Sequence, residues 1–315
     1  MKKYLINFVK YNKCIYKIYF YIVSFSINLL KLFVKPDDKL LLFNSFAGRK
    51  YDDSPKVIFE HMKKDVRFKD YHFVWAFHNP EKYEVDGAKK IKTDNINYFI
   101  TALKARVWIT NSSVSRGLDF KGKNTFFFNT WHGTTIKKMG TDIDSDNQSF
   151  RSKGKSNIDV MMSQSEYDTN IFIKAFSLSR EQFLEAGLPR NDIYVSYSKT
   201  YRNEIRKKLG IGADKKLILY CPTFREYERD ENNGCVMVPP MDLKKWEKEL
   251  KNDYMLLFRA HYEVAKVMDI ADNNFVRNVT DYSDLSELMI ASDILISDYS
   301  SVFFDYSIMD KPMLH

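Results

Sequence analysis

One recurring pattern narrows the fold of this 315-residue chain more than any other: short, unbroken apolar runs that each end in a polar turn. KLLLFNSF (39–46), HFVWAF (72–77), RVWITN (106–111), NTFFFNTW (124–131) and VMMSQS (160–165) share this form. A strand with one face in water alternates apolar and polar residues, whereas an uninterrupted run is apolar on both faces. Such strands belong to parallel sheets covered by helices on both sides. SPKVIFEHMKK (54–64) and NINYFITALKA (95–105) supply helical patterns between them. The pattern restarts with KLILYCPTF (216–224), a charged helix DLKKWEKELKN (242–252), YMLLFRAH (254–261), NFVRNVT (274–280) and DILIS (293–297). KPMLH, at 311–315, reads as the opening of a further strand. The expectation is an α/β protein with two Rossmann-like halves, divided between Asp192 and Lys215 and taken as 36–200 and 201–315. No sequence repeat relates the halves, and the polar stretches 141–159 and 226–240 read as long loops.

Charge separates the N-terminus from the rest. The formal net charge is +8, but residues 1–35 hold seven lysines and no acid, which leaves 42 basic residues against all 41 acids in the remainder. A near-neutral body argues against nucleic-acid binding, which needs a basic face. The three cysteines, Cys14, Cys221 and Cys235, have neither metal-ligand spacing nor a disulfide framework and suit a reducing compartment. Within 1–35, Ile15, Ile18, Tyr19, Ile22, Phe25, Leu29, Leu32 and Phe33 recur at helical spacing and form one apolar stripe. The uncharged run between Lys17 and Lys31 is 13 residues, short of the ~20 that a spanning helix needs. No small-residue cleavage site follows, so a removed signal peptide is not expected. A basic amphipathic helix of this kind fits the headgroup layer of an anionic membrane surface, with an ordinary core-packed helix as the first alternative and a tilted span as the second.

Ligands of open parallel sheets bind beyond the carboxyl ends of the strands. Four polar groups fall there: His132 after 124–131, PTFRE (222–226), RAH (259–261) and SDYSS (297–301). The last passes from strand to helix near Ser300 and Ser301, where unpaired N–H groups and the helix dipole suit a phosphate; simple N-capping is the alternative. His132, one of six histidines, says little by itself, because a lone histidine in a structured segment is more often a packed, hydrogen-bonded residue than a functional one. The chain has neither GxGxxG nor GxxxxGK[ST], so dinucleotide and P-loop readings lack support.

TWHGTTIKKMG, EAGLPRND, ILYCPTFRE, LLFRAH and ASDILISDYSSVFFDYSIMDKPML resemble, in this order, the motifs of the CDP-glycerol glycerophosphotransferase family. These are the teichoic-acid primases and polymerases of bacterial cell-wall synthesis, with relatives that transfer ribitol phosphate. The resemblance covers about residues 40–315. It implies a GT-B-like architecture of two Rossmann-like domains facing across a cleft, the C-terminal one holding the donor nucleotide. It also implies peripheral association with the cytoplasmic face of the membrane, which agrees with the basic N-terminal segment. The implied reaction moves glycerol phosphate, or a related polyol phosphate, from CDP-glycerol or another CDP-polyol to a hydroxyl of a polyprenyl-diphosphate-linked acceptor and releases CMP. No resident cofactor is implied, and a homo-oligomer is compatible with the sequence.

The family's two functional histidines correspond to His132 and His261. An alcohol attacking phosphorus benefits from a base, and imidazole has a suitable pKa. His132 is assigned as base on the acceptor side and His261 to the donor diphosphate, with exchanged roles left open. The resemblance assigns Thr134, Lys137, Arg190, Asn191, Asp192, Pro222, Thr223, Arg225, Arg259, Asp298, Ser300 and Ser301 to substrate binding. Arg225, Arg259 and the serine turn would supply charge and donors to the phosphates; Asp298 would bind a polyol hydroxyl or cap the helix. The chain departs from the pattern at Thr135 and Tyr262, where proline is usual. Family members continue beyond the equivalent of His315, so the C-terminal domain is expected to be truncated. Two alternatives stand beside this reading: a GT-B glycosyltransferase using a nucleotide-sugar, and a non-catalytic membrane-bound homologue.

Overall fold

The computed structural model describes residues 12–143, 156–212, 214–222, 229–230, 234–235, 242–259 and 272–315. It divides between Arg190 and Asn191 into two compact units, ahead of the boundary placed after residue 200 from sequence.

The first unit carries seven strands: β1 (Asp37–Asn44), β2 (His72–Phe77), β3 (Lys89–Lys92), β4 (Ala105–Thr110), β5 (Phe126–Asn129), β6 (Val160–Ser163) and β7 (Phe183–Glu185). Their order is β3-β2-β1-β4-β5-β6-β7, and every pairing is parallel. Burial explains the unbroken apolar runs. Leu40 and Leu42 of β1 and Val74 and Ala76 of β2 face one core. Leu41, Phe43, Phe73, Trp75 and Phe77 face the other. Helices α1 (Lys13–Lys31), α3 (Ile96–Lys104) and α4 (Glu166–Phe176) contribute Ile27, Tyr98, Ala102 and Phe172 to the first core; α2 (Asp53–Met62) contributes Phe59 to the second. Side-chain caps start them: Asn95 accepts from the Tyr98 N–H and Ser165 from the Asp168 N–H. The chain lays down β1, β2 and β3 in one direction and then crosses to β4, so the order reverses between β1 and β4. That reversal opens the crevice in which α/β sheets bind ligands.

Helix α1 is apolar on two sides. Phe20, Val23, Ile27, Leu30 and Val34 pack on the first core. Asn28 Nδ2 donates to the Asp119 carbonyl at 2.7 Å, and Ser24 Oγ accepts from the Asp119 N–H at 3.1 Å. The stripe read from sequence is the outward one: Ile18, Ile22, Phe25, Leu32 and Phe33 are 60%, 61%, 70%, 77% and 81% exposed. Core packing and an exposed apolar face are therefore properties of one helix. Among the described residues, no helix is long and apolar enough to cross a membrane.

The second unit holds a five-stranded parallel sheet built from β8 (Lys216–Cys221), β11 (Tyr254–Phe258), β12 (Val276–Asn278), β13 (Ile294–Ser297) and β14 (Met313–Leu314), in the order β12-β11-β8-β13-β14. A separate two-residue ladder pairs β9 (Arg229–Asp230) with β10 (Gly234–Cys235). β14 is the strand expected from KPMLH. Leu217 and Leu219 of β8 face a core shared with Ile205 of α6 (Lys199–Lys208), Leu288 of α8 (Leu285–Ala291) and Tyr306 of α9 (Val302–Ser307). Ile218 and Tyr220 face Trp246 of α7 (Leu243–Leu250); α5 (Asp192–Ser196) precedes α6. Here the strand order reverses between β8 and β13, again placing a crevice beyond two strand ends.

Candidate active site

In the first unit the floor of the crevice is a buried polar row. Strand register aligns Asn44 of β1 with Thr110 of β4, and Thr110 with Asn129 of β5; the three are almost wholly buried. Polar groups at that depth need partners. Asn129 Oδ1 accepts from the Trp131 N–H at 2.8 Å and its Nδ2 donates to the Ser112 carbonyl at 3.0 Å. One residue further, Asn111 Oδ1 accepts from the Phe46 N–H at 2.7 Å, and Ser112 Oγ from the Ala47 N–H at 2.8 Å. These bonds hold Phe46 and Ala47 at φ 48° and 55°. Gly48 follows at φ 90°, where a Cβ would lie 2.9 Å from Thr93 Cγ2, so only glycine fits.

His132 sits over this floor. Its Nδ1 lies 2.7 Å from the Asn111 carbonyl oxygen. A carbonyl oxygen can only accept, so Nδ1 carries the proton and the lone pair of the neutral ring is on Nε2. Burial lowers the imidazole pKa below its ordinary value, against the raising effects of the Asn111 carbonyl and the Asp53 carboxylate. A neutral histidine with a defined tautomer is what a general base requires. The ring packs between Trp131, at 4.1 Å between centroids, and Phe46, at 5.7 Å. Trp131 and Gly133 adopt φ 53° and 144°, which makes the turn that brings His132 out of the strand.

Three neighbours tie this turn down. Arg190 Nη1 donates to the His132 carbonyl at 2.9 Å and to Asp53 Oδ2 at 2.6 Å. Thr134 Oγ1 donates to Asp168 Oδ2 at 3.0 Å and accepts from Gln164 Nε2 at 2.7 Å. Burial raises the Asp168 carboxyl pKa, against the lowering effect of the Thr134 hydroxyl. Asn111 Nδ2 and Asp168 Oδ1 are buried and have no hydrogen-bond partner among the described residues.

The residues expected from sequence are thus distributed unequally. His132, Thr134 and Arg190 come together in the first unit, although the Thr134 hydroxyl serves the loop; Lys137 stands exposed nearby in sequence. Asn191 belongs to the second unit, where its Nδ2 donates to Asp305 Oδ1 at 2.8 Å, and Asp192 opens α5. In the second sheet, register sets Phe258 beside Tyr220 and Cys221 beside Ser297. Pro222, Arg259 and Asp298 therefore leave adjacent strands at one edge. Arg259 Nη1 donates to the Val279 and Tyr282 carbonyls at 3.3 and 2.6 Å. Ser300 Oγ accepts from the Val302 N–H at 3.3 Å, a capping bond, while Ser301 makes no side-chain cap. Thr223, Arg225 and His261 lie outside the described residues. Phe46, Asp53 and Asn111 were missed from sequence. The available signal was the polar ending shared by LLLFNS, WITNSS and FFFNT. Among the described residues, no group of three His, Cys, Asp or Glu is placed to hold a metal ion.

Comparison with known proteins places this chain in a family. Residues 26–315 match the model of CDP-Glycerol:Poly(glycerophosphate) glycerophosphotransferase. The chain belongs to that family. It is 38% identical over 293 residues to a teichoic acid poly(glycerol phosphate) polymerase of Staphylococcus epidermidis, covering 89% of this chain and 40% of that protein. It is 33% identical over 296 residues to a teichoic acid glycerol-phosphate transferase of Staphylococcus aureus, covering 89% of this chain and 74% of that protein. A variant of the wall teichoic acid polymerase TagF, in a crystal soaked with CDPG, aligns at a TM-score of 0.82 and 33% identity over 93% of this chain and 78% of that one. The fold of this glycerophosphotransferase family member is accordingly GT-B-like α/β, with its two parallel sheets of seven and five strands.

Proposed function

We propose that the protein transfers glycerol phosphate, or a related polyol phosphate, from CDP-glycerol to a hydroxyl of a lipid-linked acceptor in the synthesis of teichoic acid or a similar cell-surface polymer. His132 Nε2 takes the proton of the acceptor hydroxyl. The oxygen attacks the phosphorus that bears glycerol, the P–O bond to the bridging oxygen breaks, and CMP leaves with that oxygen. The observation that carries this reading is the 2.7 Å bond from His132 Nδ1 to the Asn111 carbonyl. Together with the lowered pKa, it leaves Nε2 unprotonated near neutral pH. Family membership supports the donor assignment, as does the soak of TagF with CDPG. In the second unit, Arg259 and the Asp298–Ser301 turn share one sheet edge with the end of β8, a suitable place for the donor diphosphate; His261, Arg225 and Thr223 are assigned to the same task from the motifs alone.

The outward stripe of α1 supports a working position on the membrane, where a lipid-linked acceptor resides. Exposed Lys17 and Lys35 flank it, and basic residues beside an apolar stripe favour an anionic leaflet. We place the protein on the cytoplasmic side, where CDP-activated donors are made. The test is mass spectrometry of products formed from CDP-glycerol, CDP-ribitol and a UDP-sugar with a synthetic lipid-linked acceptor. The expected product gains one or more polyol phosphate units from a CDP-polyol. Gain of a hexose from the UDP-sugar, with none from either CDP-polyol, would overturn the assignment.

A further inference from the structure

The Asp53–Arg190 pair is buried beside His132 without being part of its ring contacts. The Asp53 side chain is 4% exposed and that of Arg190 15%. Asp53 adopts φ 67° at the first residue of α2, a conformation that a non-glycine residue adopts only when its surroundings hold it there. Its Oδ1 accepts from the Ser54 N–H at 2.6 Å, and Ser54 Oγ accepts from the Arg190 N–H at 3.4 Å. A buried ion pair is a poor source of net stability, because desolvation offsets its attraction. Geometry is a better reason for it. The same Nη1 that meets Asp53 reaches the His132 carbonyl, in a turn whose flanking residues, Trp131 and Gly133, have positive φ. The imidazole is thus held at two points, Nδ1 by Asn111 and the main chain by Arg190.

We propose that Asp53 and Arg190 form a positioning unit for the transfer reaction: Asp53 orients the Arg190 guanidinium, which fixes the His132 peptide and so aims Nε2. This rests on the reading of His132 as the base, and it gives Arg190 a role other than direct substrate contact. The pair also balances charge at the ring. Asp53 raises the proton affinity of His132, while Arg190 and Arg49 lower it. These are the charged groups that act on the imidazole, apart from burial and the Asn111 carbonyl. Removing one member leaves the other uncompensated, so the two single changes act in opposite directions.

The test uses the full chain and compares Asp53→Asn, Arg190→Gln, Arg190→Lys, the double variant Asp53→Asn/Arg190→Gln, and His132→Ala, each checked by thermal melt. Asp53→Asn should move the acid limb of the kcat–pH profile to lower pH, and Arg190→Gln to higher pH. The double variant should return the limb toward the wild-type position while kcat stays low. In each variant that loses the bridge, kcat should fall about 10- to 100-fold, the order of loss caused by small misplacement of a catalytic group. The KM for CDP-glycerol should change by less than about twofold. Arg190→Lys should restore the limb but little of kcat, because an ammonium lacks the planar fork of guanidinium; it also carries the test if Arg190→Gln fails to fold. Limbs moving the same way, or a raised KM at unchanged kcat, would overturn the proposal. Full transfer by His132→Ala would overturn the base assignment itself, and is distinguishable because it needs no pair variant.

Discussion

Replacing Ile22, Phe25, Leu32 and Phe33 together by serine should release the protein from membranes without unfolding it. These side chains are 61%, 70%, 77% and 81% exposed, so the fold draws little stability from them. Full burial of such a side chain is worth about 1.5–3 kcal/mol, and each has most of its surface still to bury. Insertion of the exposed remainder is worth roughly 1–2 kcal/mol per residue, or about 4–8 kcal/mol for the four. At about 1.4 kcal/mol per tenfold, the partition coefficient should fall by about three decades or more. The assay is cosedimentation with phosphatidylglycerol vesicles at low and high salt, beside a thermal melt. The contrasting change is Ile27→Ala on the inner side, 4% exposed and packed on the core. It should cost about 2–5 kcal/mol of stability while leaving the outer stripe intact. Deleting residues 1–35 is a poorer experiment, because it would also strip Phe20, Val23, Ile27, Leu30 and Val34 from the sheet they cover. Unchanged vesicle binding by the fourfold serine variant, or its loss through Ile27→Ala in a still-folded protein, would refute the argument.

His132→Ala should reduce transfer by ~10²–10⁴, the usual range for losing a general base, while calorimetry shows CDP-glycerol binding retained. Because burial lowers the His132 pKa and the proposed base must be neutral to take a proton, wild-type activity should persist below pH ~6.5, the ordinary imidazole value, and fall as pH drops through the lowered value. The same shift makes stability fall over that interval, since the unfolded chain binds the proton first; a melt series in pH checks the sign. Thr134→Val should cost about 1–3 kcal/mol by removing the donor to Asp168 and the acceptor of Gln164, read as a lower midpoint in urea. Ser300→Ala should lower stability by ~0.5–2 kcal/mol, as for a lost cap, whereas Ser301→Ala, which makes no capping bond, should leave the melt unchanged. If the Ser301 hydroxyl serves the donor, its loss should weaken binding of CDP more than of cytidine in titration calorimetry.

How much of this was legible before folding depends on how many faces an element buries. Strands β1, β2, β4 and β8 are covered on both sides, so packing demanded unbroken apolar runs, and those runs were readable. β3 and β7 are the two edges of the first sheet. In KKIK, Ile91 alone is buried, and FLE has no fully buried residue, so neither left a usable pattern. α1 shows the converse. Its periodicity announced a helix and an apolar stripe, but a helix apolar on two sides does not say which one meets the core. That was settled by packing: Phe20, Val23, Ile27, Leu30 and Val34 join the core that also holds Tyr98 and Phe120.

The position of His132 was legible, because a histidine after a buried strand is placed by topology at the ligand-binding edge of the sheet. Its chemistry was not. The tautomer depends on the carbonyl of Asn111, 21 positions away, and the aim of the ring on Arg190, 58 positions away. Arg190 in turn depends on Asp53, 137 positions away. Local sequence determined the strands, the order of the motifs and the place of His132 at a strand end, because these follow from burial and periodicity within a few residues. Only the tertiary structure decided which nitrogen carries the proton and what holds the ring in place, because hydrogen bonds act over about 3 Å of space and are indifferent to separation along the chain.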